Sequence, residues 1–312
     1  MTDHSFSHSL FHSFPLSILH FETQPGFFIT ADAEGDPTHP PVLLLHGGGQ
    51  TRHSWGDTAR RLAEAGWYAI APDARGHGDS DWSPEGHYGI DYLAHDLRAI
   101  IAQLRQKPAV VGASMGGMTA LIAEGERTSA APLARAIVLV DIAPKSEQKG
   151  IERIFAFMSS NQDGFASLDE AAEAVAAYLP HRPRPSDHSR LEKNLRLRSN
   201  ATPANPTAEP RYYWHWDPIM LRGWQKTTTP DRQIGNEERL YKAARALTVP
   251  TLIVRGGISD VVSEKVMTEF LDMVPHVQSV SVANAGHMVA GDSNHAFTRA
   301  VIEFLNSERM KE

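Results

Sequence analysis

The stretch VVGASMGGM at 110–118 holds the residues best suited to chemistry, because it contains Gly112-Ala113-Ser114-Met115-Gly116. A Gly-x-Ser-x-Gly pentapeptide between an apolar strand and a helix is typical of a serine nucleophile on a sharp, strained turn. Side chains two residues before and after the serine would clash there, which explains both glycines. Ser114 is therefore a candidate for attack on a carbonyl, with the helix N-terminus favouring the developing negative charge. The alternative, an ordinary glycine-rich strand–helix turn, is disfavoured by this context.

A serine nucleophile needs a base, and the base needs an acid that orients it. Asp260 lies in RGGISDVVS after a predicted strand at 251–254, and His287 lies in ANAGHMVAGD after a predicted strand at 277–282. The chain order Ser114, Asp260, His287 matches a known order of nucleophile, acid and histidine. We therefore predict that these three residues form a catalytic triad.

Other residues compete for two of these roles. Asp141 follows the predicted strand 136–140 and is the main alternative to Asp260 as the acid. His276 and His295 are alternatives to His287, but His276 precedes a strand and His295 begins a helix. The pattern around Asp260 and the loop position of His287 favour the triad given above.

Alternating strands and helices must position these residues. Fully apolar runs such as VLLL at 42–45 are typical of strands buried on both faces of a parallel sheet. The strand–helix–strand order predicts an α/β fold, with a mostly parallel sheet and helices on both faces. The other predicted strands are 17–22, 27–30, 67–71, 109–112, 136–140, 251–254 and 277–282; the predicted helices are 57–65, 91–105, 116–124, 263–273 and 295–306.

Residues 143–248 interrupt the alternation with helical patterns and no good strand. The clearest predicted helix, 167–179, begins with a capping box. We predict a helical lid at 143–248 over the carboxyl ends of the strands, where open α/β sheets place their sites. The predicted core is then 17–142 with 249–312, preceded by a mobile tail at 1–16.

An aromatic group, Tyr212, Tyr213, Trp214 and Trp216, lies in the predicted lid. These side chains could line an apolar pocket or form the lid's own core, and both interpretations stay open. Tyr212, Trp214 and Trp216 are the candidate substrate-binding residues.

The sequence resembles the α/β-hydrolase fold superfamily, in its lidded serine-hydrolase branch of carboxylesterases, lactonases, carbon–carbon hydrolases and cofactor-free perhydrolases. The resemblance is carried by LLLHGGG at 43–49, DARGHGDSDW at 73–82, GASMGG at 112–117, RGGISD at 255–260 and NAGH at 284–287. The segment 143–248 matches only in position and helical character.

This resemblance implies which backbone groups stabilise an oxyanion. The loop after an early strand and the residue after the nucleophile each supply one amide, here Gly48, with Gly49 as the alternative, and Met115. His46 is expected to hydrogen-bond the backbone of that loop. Asp73, Arg75, His77 and Asp79 match the family's RGHGxS loop, which braces the site.

The implied activity is hydrolysis of a carboxylic ester or lactone of a small to medium apolar substrate through an acyl-enzyme on Ser114. No metal or organic cofactor is expected. Epoxide hydrolases and haloalkane dehalogenases of this fold use an aspartate where this chain has Ser114, which disfavours both activities. The alternatives are a carbon–carbon hydrolase, disfavoured because the HGSGPG form of the oxyanion loop is absent, a perhydrolase, and a non-catalytic small-molecule receptor.

Composition limits the classes of protein further. The 312 residues carry 30 Lys+Arg and 37 Asp+Glu, a net charge of -7 that argues against binding to nucleic acid or anionic membranes. The absence of cysteine excludes disulfides, thiolate metal sites and cysteine nucleophiles. His4, His8 and His12 recur at helical spacing, but their Ser-rich terminal setting favours a tail over a metal site.

No apolar run approaches the roughly 20 residues of a membrane helix, and the first residues lack the basic region of a signal peptide. We therefore expect a cytoplasmic protein without membrane insertion, whose partner is a small-molecule ester. The sequence leaves the oligomeric state open.

Overall fold

A mixed eight-stranded sheet forms the centre of the molecule. The computed structural model describes residues 15–201, 205, 207–227, 230–289 and 294–309. The three histidines of the predicted tail and all but its last two residues therefore lie outside the described residues. The strands of this sheet are β1 (Ser17–Gln24), β2 (Phe27–Glu34), β3 (Pro41–Leu45), β4 (Tyr68–Pro72), β5 (Ala109–Ala113), β6 (Ala136–Val140), β9 (Thr251–Gly256) and β10 (Gln278–Val282). Two further strands, β7 (Leu195–Arg198) and β8 (Arg211–Trp214), pair separately.

The strand order of the large sheet is β1-β2-β4-β3-β5-β6-β9-β10. The six strands from β4 to β10 are parallel, and β1 and β2 extend the sheet with antiparallel pairing. The carboxyl ends of β3, β5, β6, β9 and β10 therefore lie along one edge. This confirms the predicted α/β fold with a mostly parallel sheet.

Helices cover both faces of the sheet. The α-helices in the described part of the chain are α1 (Gly56–Glu64), α2 (Ile90–Ala102), α3 (Met115–Gly125), α4 (Gln148–Ser159), α5 (Leu168–Tyr178), α6 (Ile219–Thr227), α7 (Pro230–Arg245), α8 (Glu264–Met273) and α9 (Asn294–Arg309). Of these, α1, α2, α3, α7, α8 and α9 contribute buried residues to the hydrophobic clusters on the two faces. All the predicted strands and helices form, with ends that differ by a few residues.

Alternate side chains of the central strands enter two separate hydrophobic clusters. Leu43 and Leu45 of β3 pack with residues of α2, α3, α7 and α8 on one face. Val42 and Leu44 pack with residues of α1 and α9 on the other face. Because β3 is buried on both sides, its continuous apolar sequence is what a central parallel strand requires.

The segment between β6 and β9, here called the insertion (residues 143–248), contains α4 to α7 and one antiparallel hairpin. Ser167 caps α5 as the capping box predicts, since its hydroxyl accepts a hydrogen bond from the Glu170 amide at 3.2 Å. The hairpin of β7 and β8 contradicts the expectation of no strand here. Its strands are four residues long and mix arginine with apolar residues, so they lack the apolar run that reveals a buried strand.

The helices in the described part of the chain include none with the length and apolar character needed to cross a membrane.

Candidate active site

Ser114 occupies the sharp turn between β5 and α3. Its backbone has φ 49° and ψ -114°, a conformation that costs a non-glycine residue free energy and is typical of functional turns. A Cβ on Gly112 would lie 2.5 Å from the Gly116 carbonyl oxygen, and one on Gly116 would lie 2.4 Å from the Leu45 carbonyl oxygen. Both positions must therefore be glycine, as the pentapeptide predicts.

His287 lies in the loop after β10 and is held by Asp141. Its Nδ1 lies 2.8 Å from Asp141 Oδ2, and its side chain is largely buried. Nδ1 is the donor to the carboxylate, which leaves Nε2 as the ring nitrogen that can accept a proton. His287 and Ser114 line the same cavity.

Asp141 follows β6 and is fully buried, at 0% exposure. Its Oδ1 accepts a hydrogen bond from the Gly256 amide at 2.8 Å, and its Oδ2 accepts from the Ser259 hydroxyl at 2.5 Å as well as from His287. Its backbone φ of 48° lies in the left-handed region, which few non-glycine residues adopt. Three donors and a strained backbone thus fix the direction of this carboxylate.

The expected pairing of Asp260 with His287 is corrected by the structure. Asp260 instead accepts two hydrogen bonds from Arg153 of α4, from Nε at 2.6 Å and from Nη2 at 2.8 Å. These hydrogen bonds hold the pKa of the Asp260 carboxyl below its usual value of 3.8, although partial burial opposes the shift. Asp141, the alternative that the sequence offered, is the carboxylate that contacts His287.

The glycine loop after β3 presents one amide that can serve an oxyanion. The Gly47 amide donates to Gln50 Oε1 at 2.9 Å, and the Gly49 amide donates to His77 Nε2 at 3.1 Å. Among the described hydrogen bonds the Gly48 amide takes part in none, and Gly48 lines the cavity. Of the two candidates, Gly48 and Gly49, the structure therefore favours Gly48 as the candidate oxyanion donor.

Met115 offers the second amide expected at the site. It is the first residue of α3, where a backbone N–H has no carbonyl partner within the helix. This amide directly follows Ser114, so it lies at the positive end of the helix dipole.

Two buried histidines brace the glycine loop. His46 Nδ1 lies 2.8 Å from the Gly47 carbonyl oxygen, and its Nε2 accepts from the Ala74 amide at 2.9 Å. His77 Nδ1 lies 3.2 Å from the Arg75 carbonyl oxygen, opposite the Nε2 that accepts from Gly49. Burial lowers the pKa of His46 and lowers that of His77 to about 3, so both rings stay neutral and keep one acceptor nitrogen.

The remaining residues of the RGHG loop form ion pairs behind the glycine loop. Asp73, fully buried, accepts from the Arg52 amide at 2.7 Å and the Asp79 amide at 2.9 Å, and it also pairs with the Arg52 side chain. Arg75 pairs with Asp96 at 2.6 Å. These contacts match the bracing role that the resemblance implies.

A cavity of about 280 Å³ lies between the sheet edge and the insertion. The core contributes Gly48, Ser114 and His287, and the insertion contributes a mainly apolar wall that includes Phe157, Met158, Tyr178, Trp214 and Trp216. The ring of Phe157 stacks on that of Tyr178, with centroids 4.2 Å apart.

The aromatic group of the insertion is thus divided between two roles. Trp214 and Trp216 line the cavity, so they stay candidates for contact with a substrate, and Trp214 also packs beside Tyr212. Tyr212 does not: it pairs through its backbone with Phe165 and packs in the insertion's own hydrophobic cluster. The sequence could not separate these roles, because the four aromatic residues lie within five positions of one another.

Within the described ranges, no group of three or more histidine, aspartate and glutamate side chains is arranged to hold a metal ion. The spacing of His4, His8 and His12 falls outside those ranges.

The fold and this arrangement of serine, histidine and carboxylate define an α/β hydrolase. A family model of the alpha/beta hydrolase fold matches residues 40–293, and the chain belongs to that family.

Individual relatives are similar over most of their length. The chain is 29% identical to the esterase Rv0045c of Mycobacterium tuberculosis, over 85% of this chain and 81% of that protein. It is 28% identical to the 3-hydroxybutyrate-oligomer hydrolase of Cupriavidus necator, over 81% of this chain and 84% of that protein. The crystal structure of an E-2-(acetamidomethylene)succinate hydrolase superposes with a TM-score of 0.78 at 22% identity, covering 94% and 100% of the two chains, which shows a shared fold.

Proposed function

We propose that this protein is a serine hydrolase that cleaves a carboxylic ester or lactone of a small to medium apolar substrate. The observation that carries the proposal is one cavity lined by Ser114 on a strained turn, by the Gly48 amide and by His287, whose ring is held by buried Asp141. The similarity to relatives named as an esterase and as an oligomer hydrolase also supports this proposal.

The proposed reaction begins when the Ser114 hydroxyl attacks the substrate carbonyl carbon. His287 Nε2 takes the hydroxyl proton, while Asp141 keeps the ring oriented and stabilises the imidazolium. The tetrahedral intermediate collapses as His287 returns the proton to the leaving alcohol, which leaves an acyl-enzyme on Ser114. Water then attacks the acyl group by the same route and regenerates the serine.

The Gly48 and Met115 amides are the proposed donors to the oxyanion of each tetrahedral intermediate. Loss of one such donor typically costs about 10²–10³-fold in rate. Both donors belong to the main chain, and the position of the Gly48 donor depends on the loop that His46 and His77 brace. The chemistry requires neither a metal ion nor an organic cofactor.

The insertion is proposed to act as a lid that selects the substrate. Its aromatic side chains Phe157, Tyr178, Trp214 and Trp216 line the cavity, together with aliphatic residues. Such a wall favours apolar acyl or alcohol groups through burial of their surface. A cytoplasmic location stays a prediction from the sequence.

Ester turnover by Ser114→Ala tests the proposal. We expect the wild type to hydrolyse p-nitrophenyl acetate and to react with a fluorophosphonate probe. Ser114→Ala should lose both activities, with kcat lower by about 10⁴-fold or more. Ser279→Ala, at an exposed position on β10, is the matched control and should keep both activities.

Retained turnover or labelling in Ser114→Ala would overturn the proposed nucleophile. A wild type that is folded but shows neither turnover nor labelling, while it binds a small molecule, would favour the receptor alternative. Circular dichroism of both variants shows that any loss of activity is not a loss of fold.

A further inference from the structure

Ser259 lies in the loop after β9, directly before Asp260, and its hydroxyl contacts the buried Asp141. It donates to Asp141 Oδ2 at 2.5 Å, the oxygen that also accepts from His287 Nδ1 at 2.8 Å. The Ser259 oxygen itself accepts from the Val261 amide at 3.1 Å and the Val262 amide at 3.2 Å.

These contacts allow the hydroxyl proton of Ser259 to point in one direction only. A serine hydroxyl has one proton and two acceptor lone pairs. Because the two amides occupy the acceptor positions, the proton is directed at Asp141. The hydroxyl is therefore a fixed donor, unlike a surface hydroxyl that rotates between water molecules.

We propose that Ser259 is a positioning residue for the catalytic machinery, which holds the Asp141 carboxylate in the orientation that His287 requires. The inference rests on the proposed function. Gly256 fixes Oδ1 with its amide at 2.8 Å, and Ser259 fixes Oδ2 with its hydroxyl. Without the hydroxyl, His287 would be the one side-chain donor to Asp141 in the described part of the site.

Removing the hydroxyl has two expected consequences. The carboxylate gains freedom to rotate, so kcat falls by about tenfold, as for one hydrogen bond to a charged group, while KM changes little. The carboxylate also keeps more of its negative charge toward His287, which favours the protonated ring. The acid limb of the kcat/KM profile therefore moves to higher pH.

The other charged groups near His287 stay in place in such a variant. Asp260 interacts electrostatically with His287 from the β9 loop and is itself paired with Arg153 of the insertion. Arg182 of the insertion donates to the carbonyl oxygen of Met288, the next residue after His287. A shift of the profile on removal of the Ser259 hydroxyl therefore reports on the Asp141 contact.

Ser263 offers a matched control. Its oxygen accepts from the Val266 amide at 3.2 Å, and its hydroxyl donates to Glu147 Oε1 at 2.6 Å. It thus makes the same kinds of contact as Ser259 in the same segment, but its carboxylate partner is not Asp141. Ser263→Ala measures what the loss of such a serine hydroxyl costs this segment in stability alone.

The experiment measures kcat, KM, the pH profile of kcat/KM with p-nitrophenyl acetate, and Tm. The variants are Ser259→Ala, Ser259→Thr, Ser259→Cys and Ser263→Ala, beside the wild type and Ser114→Ala. We expect Ser259→Ala to show the tenfold lower kcat and the shifted acid limb. Ser259→Thr, which keeps the hydroxyl, should recover both, and Ser263→Ala should change Tm without changing either.

The inference is overturned if Ser259→Ala lowers Tm as Ser263→Ala does but keeps the wild-type kcat and pH profile. If Ser259→Ala does not fold, Ser259→Cys decides, because a thiol has a similar shape and is a weaker donor. The positioning role is supported if Ser259→Cys has a lower kcat than the wild type and a shifted acid limb in its pH profile of kcat/KM. It is refuted if both quantities equal those of the wild type. Turnover by Ser114→Ala would instead refute the proposed function, so the two failures are distinguishable.

Discussion

The loops after β6 and β9 each place a carboxylate near His287, and the two carboxylates have opposite surroundings. Asp141 is fully buried and accepts hydrogen bonds from His287, Ser259 and Gly256. The Asp260 side chain is 33% exposed and is held by Arg153 of the insertion. One carboxylate faces the histidine, and the other fastens the insertion to the core.

The difference in burial explains why each carboxylate suits its role. A buried charge is tolerated only when hydrogen bonds replace its lost hydration, and those same bonds give Asp141 a single orientation. Asp260 stays close to solvent, where its pairing with Arg153 contributes modestly to stability. Arg153 also lies 4.6 Å from the ring centroid of Tyr178, a residue of the cavity wall. The Asp260 pairing thus supports the wall of the cavity rather than the histidine.

The largest expected effect comes from Asp141→Asn, which should lower kcat by about 10⁴-fold. The amide cannot stabilise the imidazolium as a carboxylate does, and its NH₂ group favours the wrong tautomer of His287. Steady-state kinetics, with the active fraction measured by probe labelling, checks this prediction.

Asp260→Asn is the control for that substitution, and it should change kcat by less than about threefold, since a partly exposed ion pair is worth roughly 0–1 kcal/mol. If Asp260→Asn lowered kcat more than Asp141→Asn does, Asp260 and not Asp141 would be the carboxylate that supports His287.

A smaller effect is expected for Arg153→Gln, with KM about fivefold higher and kcat within about twofold of the wild type. The substitution removes the pair with Asp260 and the support for Tyr178, but it leaves Asp141 and its three donors intact. Arg184→Gln is the matched control, since Arg184 pairs with Glu173 within the insertion, at an exposed position. If kcat fell by as large a factor as KM rose, Arg153 would act on Ser114, His287 and Asp141 rather than on the cavity wall.

The smallest effect concerns the pH dependence of stability. Arg153 lowers the pKa of Asp260 in the folded protein, so the ionised pair stabilises the fold above the unfolded pKa of about 4. This stabilisation is lost as the pH falls through the lower folded pKa. The difference in free energy of unfolding between the wild type and Asp260→Asn should therefore shrink on acidification. Urea unfolding at several pH values measures it, and a difference that grows toward acid pH would contradict the pairing.

Local pattern was sufficient to identify the proposed nucleophile and the proposed base. Ser114 was predictable because the backbone of its turn excludes side chains at Gly112 and Gly116. This requirement produces a recognisable motif of five consecutive residues. His287 was predictable because it follows a strand at the edge where Ser114 lies. The core strands were predictable since burial on both faces requires continuous apolar runs.

Which carboxylate contacts His287 was not predictable, because β6 and β9 are neighbouring parallel strands and both Asp141 and Asp260 follow their carboxyl ends. The difference between the two carboxylates depends on Arg153, which pairs with Asp260 although it is 107 residues away in the chain. An arginine in the first helix of the insertion was the available signal. The choice of the proposed oxyanion amide was not predictable for a similar reason, since it depends on the contacts of Gln50 and His77 with the amides of Gly47 and Gly49.

Proton NMR of His287 tests most directly whether Asp141 or Asp260 holds its ring. A proton on Nδ1 in a hydrogen bond to a buried carboxylate resonates far downfield of the amide protons, and His287→Ala identifies this signal by its loss. We predict that the signal persists in Asp260→Asn and is lost or moves strongly upfield in Asp141→Asn. A signal that persists in Asp141→Asn and disappears in Asp260→Asn would contradict the assignment of Asp141.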